Sequence, residues 1–221
     1  FRSTNIWGYV YISSAYVYPL GRMKDPYSAP ISETEAISTQ PGISYGLAKF
    51  IGETALKYTI EQDQKMKGII FRLSNVYGPC QNIDLKRGSI IPVLIRRAIE
   101  YPDLKPYLIY GTGIETRSYC YISDVLDALC YAIEKLSEFQ LIGPLNIGSE
   151  HRISILDLAE KIIDISGKNI KVEKKKASPP VAMSQTLDCS QARKILDGWQ
   201  PKMSLQEGLE NMYAYVMDKI N

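Results

Sequence analysis

The chain has 221 residues, 45% of them hydrophobic, which is enough for one large domain or a domain plus a smaller lobe. Lys and Arg number 26 against 24 Asp and Glu, a net charge of +2, which gives no reason to expect nucleic acid or an anionic membrane as the main partner. No apolar run approaches the ~20 residues that span a bilayer, and no signal-peptide pattern is visible.

The chain opens on Phe1 without an initiator Met, and a hydrophobic strand follows almost at once. It reads as a chain cut from something longer. Residues 8–14 (GYVYISS) are rich in Tyr, Val and Ile and end in small polar residues, the pattern of a buried parallel strand with a site at its C-terminal end. A Pro- and Ser-rich loop covers 19–41. A helix is expected over 44–62, with Leu47, Phe50, Ile51, Ala55, Leu56 and Tyr58 on its apolar side. A second strand covers 68–73, and 75–79 (NVYGP) reads as the turn after it. Ser89 is placed to cap a short helix ending near Ile99.

Further strands are expected at 108–110 and 118–122, with Gly111 and Gly113 breaking the first. Ser123 then caps a helix whose Val125, Leu129, Ala132, Ile133 and Leu136 share one face. Residues 145–147 form a short strand ending at Gly148. Ser154 with Asp157 and Ser204 with Glu207 open two closing helices as capping boxes, and Gly167 stops the first. The basic run at 171–176 reads as a solvated loop or strand edge. Strands alternating with helices predict a doubly wound, Rossmann-like parallel α/β sheet. Such sheets bind ligands at the carboxyl ends of their strands, where Ser13, Ser14, Asn75 and Gly148 fall.

The four cysteines, Cys80, Cys120, Cys130 and Cys189, include no C-x-x-C pair, and His151 is the single histidine. No metal site is therefore expected, and the scattered cysteines suit a reducing cytoplasm.

The chemistry is carried by Tyr45 and Lys49. Four residues apart, they lie on the same helix face. An ammonium beside a phenol favours the phenolate and lowers a pKa that is ordinarily about 10, making tyrosine a usable acid/base. Ser14, at a strand end some thirty residues upstream, is placed to hold a substrate hydroxyl.

These residues sit inside a longer pattern. Residues 13–19 (SSAYVYP), 30–33 (PISE), 44–49 (SYGLAK) with Gly52 and Glu53, and 72–79 (RLSNVYGP) follow one another in order. So do 111–118 (GTGIETRS), 121–124 (YISD), 145–148 (LNIG) and 198–201 (GWQP). Over essentially its whole length the chain resembles extended short-chain dehydrogenase/reductases of the NAD-dependent epimerase/dehydratase kind, the nucleotide-sugar epimerases.

The resemblance implies roles. Tyr45 is the acid/base. Lys49 tunes it and hydrogen-bonds the nicotinamide ribose, and Ser14 binds the sugar hydroxyl being oxidised. Ile12 and Ser13 border the cofactor, NAD or alternatively NADP. Asn75 touches the cofactor and the substrate diphosphate, and Arg117 neutralises that diphosphate, a task suited to a guanidinium fork. Ser89, Ile90 and Tyr110 wall the nucleotide pocket, and Tyr16 walls the sugar pocket. The partners implied are a nucleotide-sugar and a second copy of the chain, meeting through the helix at 44–62. The cofactor domain is expected over 1–80 and 104–148, and a substrate lobe over 81–103 and 149–221.

Other readings stay open. Asn75 could be a turn former, Arg117 an ion-pair partner, and Asp124 a charge complementing a helix dipole. Two departures matter. No glycine-rich pyrophosphate loop occurs, so the chain alone is expected to hold NAD poorly and to be inactive, while the intact parent is active. No arginine occurs between Ser178 and Asp188, where relatives often place one against the nucleotide. Dehydratases commonly carry an Asp-Glu pair after the serine; Ala15 and Tyr16 stand there instead, favouring 4-epimerisation. Three rival functions remain: another activity of the resembled family, dehydration or reduction of an NDP-sugar; a non-catalytic nucleotide-binding relative; and an α/β-hydrolase with Ser44 in a G-x-S-x-G turn plus Asp124 and His151. Against the hydrolase, the residues before Gly42 are polar and contain Pro41.

Overall fold

The computed structural model describes residues 8–36, 42–63, 65–176 and 182–220. The chain's opening residues, the end of the Pro- and Ser-rich loop and residues 178–181 of the arginine-free stretch lie outside them.

Three strands make the central sheet. β1 (Gly8–Ser14), β2 (Lys67–Leu73) and β6 (Leu141–Ile147) run parallel in the order β1-β2-β6, with Gly8 opposite Lys67 and Ser14 opposite Leu73. β2 is buried on both faces, which is why its sequence reads as a continuous apolar run. Alternation splits that run. Ile70 packs with Leu56 and Ile60 of α1 (Ser44–Gln62), while Ile69 and Phe71 enter a second cluster. There they meet Val125, Ala128 and Ala132 of α3 (Ile122–Lys135), together with Leu196 and Trp199. Helices therefore cover both faces, as a doubly wound α/β fold requires. At the β1 edge, Tyr9, Val10 and Ile12 are exposed.

A mixed sheet continues the chain. β3 (Asn75–Tyr77) pairs in parallel with β5 (Thr116–Tyr121), which also pairs antiparallel with β7 (Arg152–Ser154) and parallel with β9 (Ser184–Gln185). β4 (Tyr107–Tyr110) pairs with β8 (Val172–Lys175), so the basic run is a strand with exposed lysines. A separate apolar cluster joins α2 (Ile90–Ile99), α4 (Ile155–Ser166) and α6 (Leu205–Ile220) to Tyr107 and Ile109 of β4.

Several expectations are corrected. The 75–79 turn begins as strand β3, because parallel pairing with β5 satisfies its backbone. Ser123 is not a cap: Tyr121 stands at the N-cap and Ser123 is already helical. Ile133, placed on the buried face of that helix, is exposed. Ser89 stands at the N-cap of α2 but makes no side-chain cap bond. The short helix α5 (Ser190–Ile195) was not foreseen. In α1 the apolar residues encircle the helix. Leu56 is buried with Gly46, Glu53 and Ile60, whereas Leu47, Ile51 and Tyr58 are exposed. Ser204 and Glu207 form the expected reciprocal capping box, Ser154 caps α4 by accepting from the Asp157 N–H, and Gly167 adopts the left-handed conformation that ends α4.

Candidate active site

The site gathers where β1 ends beside the first turns of α1. Tyr45, Lys49 and Glu53, spaced by four, form a stripe along α1. The Lys49 ammonium donates to the Ile12 carbonyl at 2.8 Å and lies 5.8 Å from the Tyr45 ring centroid. The Tyr16 ring meets Tyr45 edge-to-face, with centroids 6.1 Å apart. The buried Ser14 lies between these contacts in sequence, and its hydroxyl oxygen accepts from the Tyr16 backbone N–H at 3.2 Å. That bond caps a short 3-10 turn at Ala15–Val17 and fixes the chain's turn out of the strand. Tyr45 is 51% exposed, so its phenol remains open to a ligand.

A buried polar chain lies behind this group. Ser13 is 3% exposed and donates its hydroxyl to Glu53 at 2.5 Å. The Glu53 carboxylate also takes a two-pronged hydrogen bond from Arg72, at 2.9 and 2.6 Å. Arg72 reaches further, to the Tyr18 hydroxyl at 3.2 Å and the Glu33 carbonyl at 3.1 Å. Tyr18 donates to Asn146 Oδ1, and the Asn146 backbone N–H donates to the Glu33 carboxylate at 2.9 Å. Burial pushes the Glu33 carboxyl above the usual range, although the Asn146 N–H works against the shift. Burial likewise raises the Tyr18 phenol, against the pull of Arg72. Burial is the largest influence on Arg72 and disfavours its charge, yet Glu53 and Tyr18 together, through hydrogen bonds and charge, outweigh it and hold the guanidinium more firmly protonated than usual.

Sequence reasoning missed the roles of Glu53, Arg72, Tyr18, Asn146 and Glu33. Two signals were available: a carboxylate continuing the Tyr45–Lys49 stripe, and an arginine inside an apolar strand, where a charge needs a partner.

Around the second sheet, Asn75 uses its side-chain amide to donate to the Ser118 carbonyl at 3.0 Å and to Ser74 Oγ at 3.3 Å. It is a strand residue pinning β3 to β5 and not a simple turn former. Arg117 donates to the carbonyls of Thr116 at 2.7 Å and Ala182 at 2.9 Å. Among the described residues no carboxylate pairs with it, which removes the ion-pair alternative. Tyr110 is exposed, with the Arg97 guanidinium 5.9 Å from its ring centroid. Ser89 is exposed at the start of α2, and the half-buried Ile90 packs on the α2–α4–α6 cluster.

Asp124 lies in the first turn of α3, as a dipole partner would, but it is buried and accepts from the backbone N–H groups of Lys202 and Met203. Ser44 is the exposed first residue of α1, and among the described residues no hydrogen bond joins it to His151. The hydrolase arrangement is not formed.

Compared with known proteins, residues 1–148 match the NAD dependent epimerase/dehydratase family. The chain belongs to this family. It is 32% identical over 168 residues to UDP-glucuronic acid decarboxylase 3 of Arabidopsis thaliana, covering 76% of this chain and 46% of that protein. It is 31% identical over 217 residues to GDP-L-fucose synthase of Sinorhizobium fredii (strain NBRC 101917 / NGR234), covering 96% and 65% respectively. Among solved structures it is similar to UDP-glucuronic acid 4-epimerase from Bacillus cereus, with 29% identity and a TM-score of 0.80 over 99% of this chain and 64% of that one. The chain spans about half the length of the first curated relatives it matches, 46–52% of each.

Proposed function

We propose that the protein carrying this chain is an NAD-dependent nucleotide-sugar epimerase acting at C4 of an NDP-hexose through a transient keto-sugar. The observation that carries this reading is the convergence of Ser14, Tyr45 and Lys49 where β1 ends. Bound NAD supplies the acceptor and, on the return, the donor of the hydride at the sugar carbon. Tyr45 Oη takes the proton of the sugar hydroxyl as the carbonyl forms and gives it back when the alcohol is restored. Ser14 keeps its own hydroxyl proton available to orient that oxygen.

The donor set fits the cofactor. An ammonium has three N–H donors, and Ile12 uses one of them, so two remain for ribose hydroxyls. We assign the cofactor half to the β1-β2-β6 sheet and its helices, and the substrate lobe to the α2–α4–α6 cluster into which β4 packs. Arg117 faces the diphosphate in this assignment, and Tyr110, Ser89 and Ile90 the nucleotide. Asn75 contacts both cofactor and diphosphate, and Tyr16 walls the sugar pocket.

Epimerisation is favoured over dehydration because Ala15 and Tyr16 stand where an acid/base pair for elimination would be needed. The curated relatives act on a UDP-sugar acid and on GDP-sugars, so the base remains for the assay to choose. The exposed apolar residues Leu47, Ile51 and Tyr58 of α1 support a homodimer through this helix. All four cysteines are free, which supports a reducing, cytoplasmic setting, and no helix of the described residues is long and apolar enough to cross a membrane.

The test incubates the intact protein and NAD with UDP-glucose, UDP-glucuronic acid and GDP-mannose, and resolves the products by chromatography. The reading expects interconversion of C4 epimers, with Tyr45→Phe slowed about 10²- to 10⁴-fold, the usual share of acid/base catalysis. Release of carbon dioxide, or turnover unaffected by Tyr45→Phe, would overturn it.

A further inference from the structure

The stripe along α1 extends one turn beyond the tyrosine–lysine pair, and its third member also grips β1. Lys49 holds the carbonyl of Ile12, and Glu53 holds the hydroxyl of Ser13. The next residue is Ser14. Two successive helix turns thus clasp two successive strand residues immediately before the serine that faces the sugar. The bonds come from opposite chemistries: a cation on a carbonyl, and a carboxylate on a hydroxyl. Sliding the helix along the strand by one residue would break both.

Glu53 is itself fixed from behind. Its second partner, Arg72, lies on β2, the strand next to β1, and both charges are about 1–2% exposed. Arg72 is fixed in turn by Tyr18, four residues beyond Ser14, and Tyr18 by Asn146 on β6. The chain of bonds therefore leaves β1 at Ser13, crosses α1 and β2, and returns to Tyr18 in the segment after Ser14, where Asn146 of β6 anchors it. Ser14 is held from both sides, by Ser13 before it and by Tyr18 after it. A buried charge this well paired is expensive to desolvate, and a neutral packing residue would hold the helix as well. Its charge makes sense where direction matters more than adhesion.

We propose that Ser13 and Glu53, backed by Arg72, are positioning residues that set the distance between the Ser14 hydroxyl and the Tyr45 phenol. This rests on Tyr45 being the acid/base of the proposed reaction. Reacting groups misplaced by about 1 Å can lose on the order of 10²-fold in rate, so a looser clasp is felt in kcat before it is felt in binding.

The test uses Ser13→Ala in the intact protein, because it deletes one hydrogen bond and leaves the Glu53–Arg72 pair and the packing in place. Four quantities are read: kcat, KM for the nucleotide-sugar, melting temperature, and the rate of Lys49 acylation by acetic anhydride, located by mass spectrometry. The expected result is a kcat lowered at least tenfold, with KM and melting temperature little changed and Lys49 acylated several-fold faster. Two results overturn the proposal: a kcat within twofold of the parent, or a loss of kcat that tracks a matching fall in melting temperature. Tyr45→Phe run alongside separates the two levels. If that variant keeps full turnover, the acid/base reading has failed, and the Lys49 acylation rate still reports whether Ser13 holds the clasp.

Discussion

The Lys49 ammonium is hydrogen-bonded to the carbonyl oxygen of Ile12 at 2.8 Å, tying α1 to β1 two residues before Ser14. The same ammonium lies over the Tyr45 ring. One side chain thus joins the strand that presents Ser14 to the helix that presents Tyr45. Replacing Lys49 by Met keeps most of the stem's apolar contacts and removes the cation. Turnover should fall about 10²-fold or more, as expected when a preorganised charge is lost from an active site. Under the proposed function, NAD affinity, measured by fluorescence titration, should weaken about tenfold as the charge-assisted bonds assigned to the ribose are lost.

Arg72→Met tests the buried pair. It leaves the Glu53 carboxylate without its two-pronged partner in a site about 1% exposed. Breaking such a pair by removing one member typically costs about 3–5 kcal/mol. Urea denaturation should show a lower midpoint at an unchanged slope, the product of slope and midpoint shift giving a loss of that size. A loss below about 1 kcal/mol would mean that water reaches Glu53.

Glu33 gives a pH prediction with a definite sign. Burial raises its carboxyl pKa in the folded chain above the ordinary 4.5, so between those two values the folded state binds more protons than the unfolded one. Stability therefore falls as pH rises through that window and stays lower above it. Glu33→Gln keeps an oxygen to accept from the Asn146 N–H and has no proton to lose. Its stability relative to the parent should improve as pH rises from 4 to 7, read from thermal melts at each pH.

Arg117 bears on substrate affinity. Its guanidinium donates to two backbone carbonyls, which aim it without neutralising it. Under the proposed function, Arg117→Met should raise KM for the nucleotide-sugar about 10- to 100-fold, the worth of one or two hydrogen bonds to a charged group. The value of kcat should change much less, because the diphosphate is far from the reacting carbon. Equal loss in kcat with unchanged KM would place Arg117 elsewhere.

Much of the fold was legible along the chain. The strand at 8–14 and the helix at 44–62 appear with the bounds expected of them, because each is punctuated by residues with strong local preferences. The helix caps at Ser154 and Ser204 are read from side chains three residues apart and form as local chemistry dictates. The short strands β3, β7 and β9 were not legible. A strand of two or three residues has no period to display and exists only because β5 pairs with it.

The candidate site divides in the same way. Tyr45 and Lys49 could be read together because a helix repeat places residues four apart on one side. Glu53 stood in the next position of that repeat, yet its meaning depends on Ser13 and Arg72, 40 and 19 residues away in the chain. Asp124 likewise looked like a helix-end charge until the fold brought the 202–203 backbone to it.

By itself the sequence determined where the longer helices and strands lie, and which phenol and ammonium share a face, since those follow from dihedral preference and helical repeat over a few residues. Only the tertiary structure decided which buried charges meet, and thereby how Ser14 is aimed. A carboxylate or guanidinium has no local signature of its partner: it is fixed when packing excludes water and leaves one hydrogen-bonding solution.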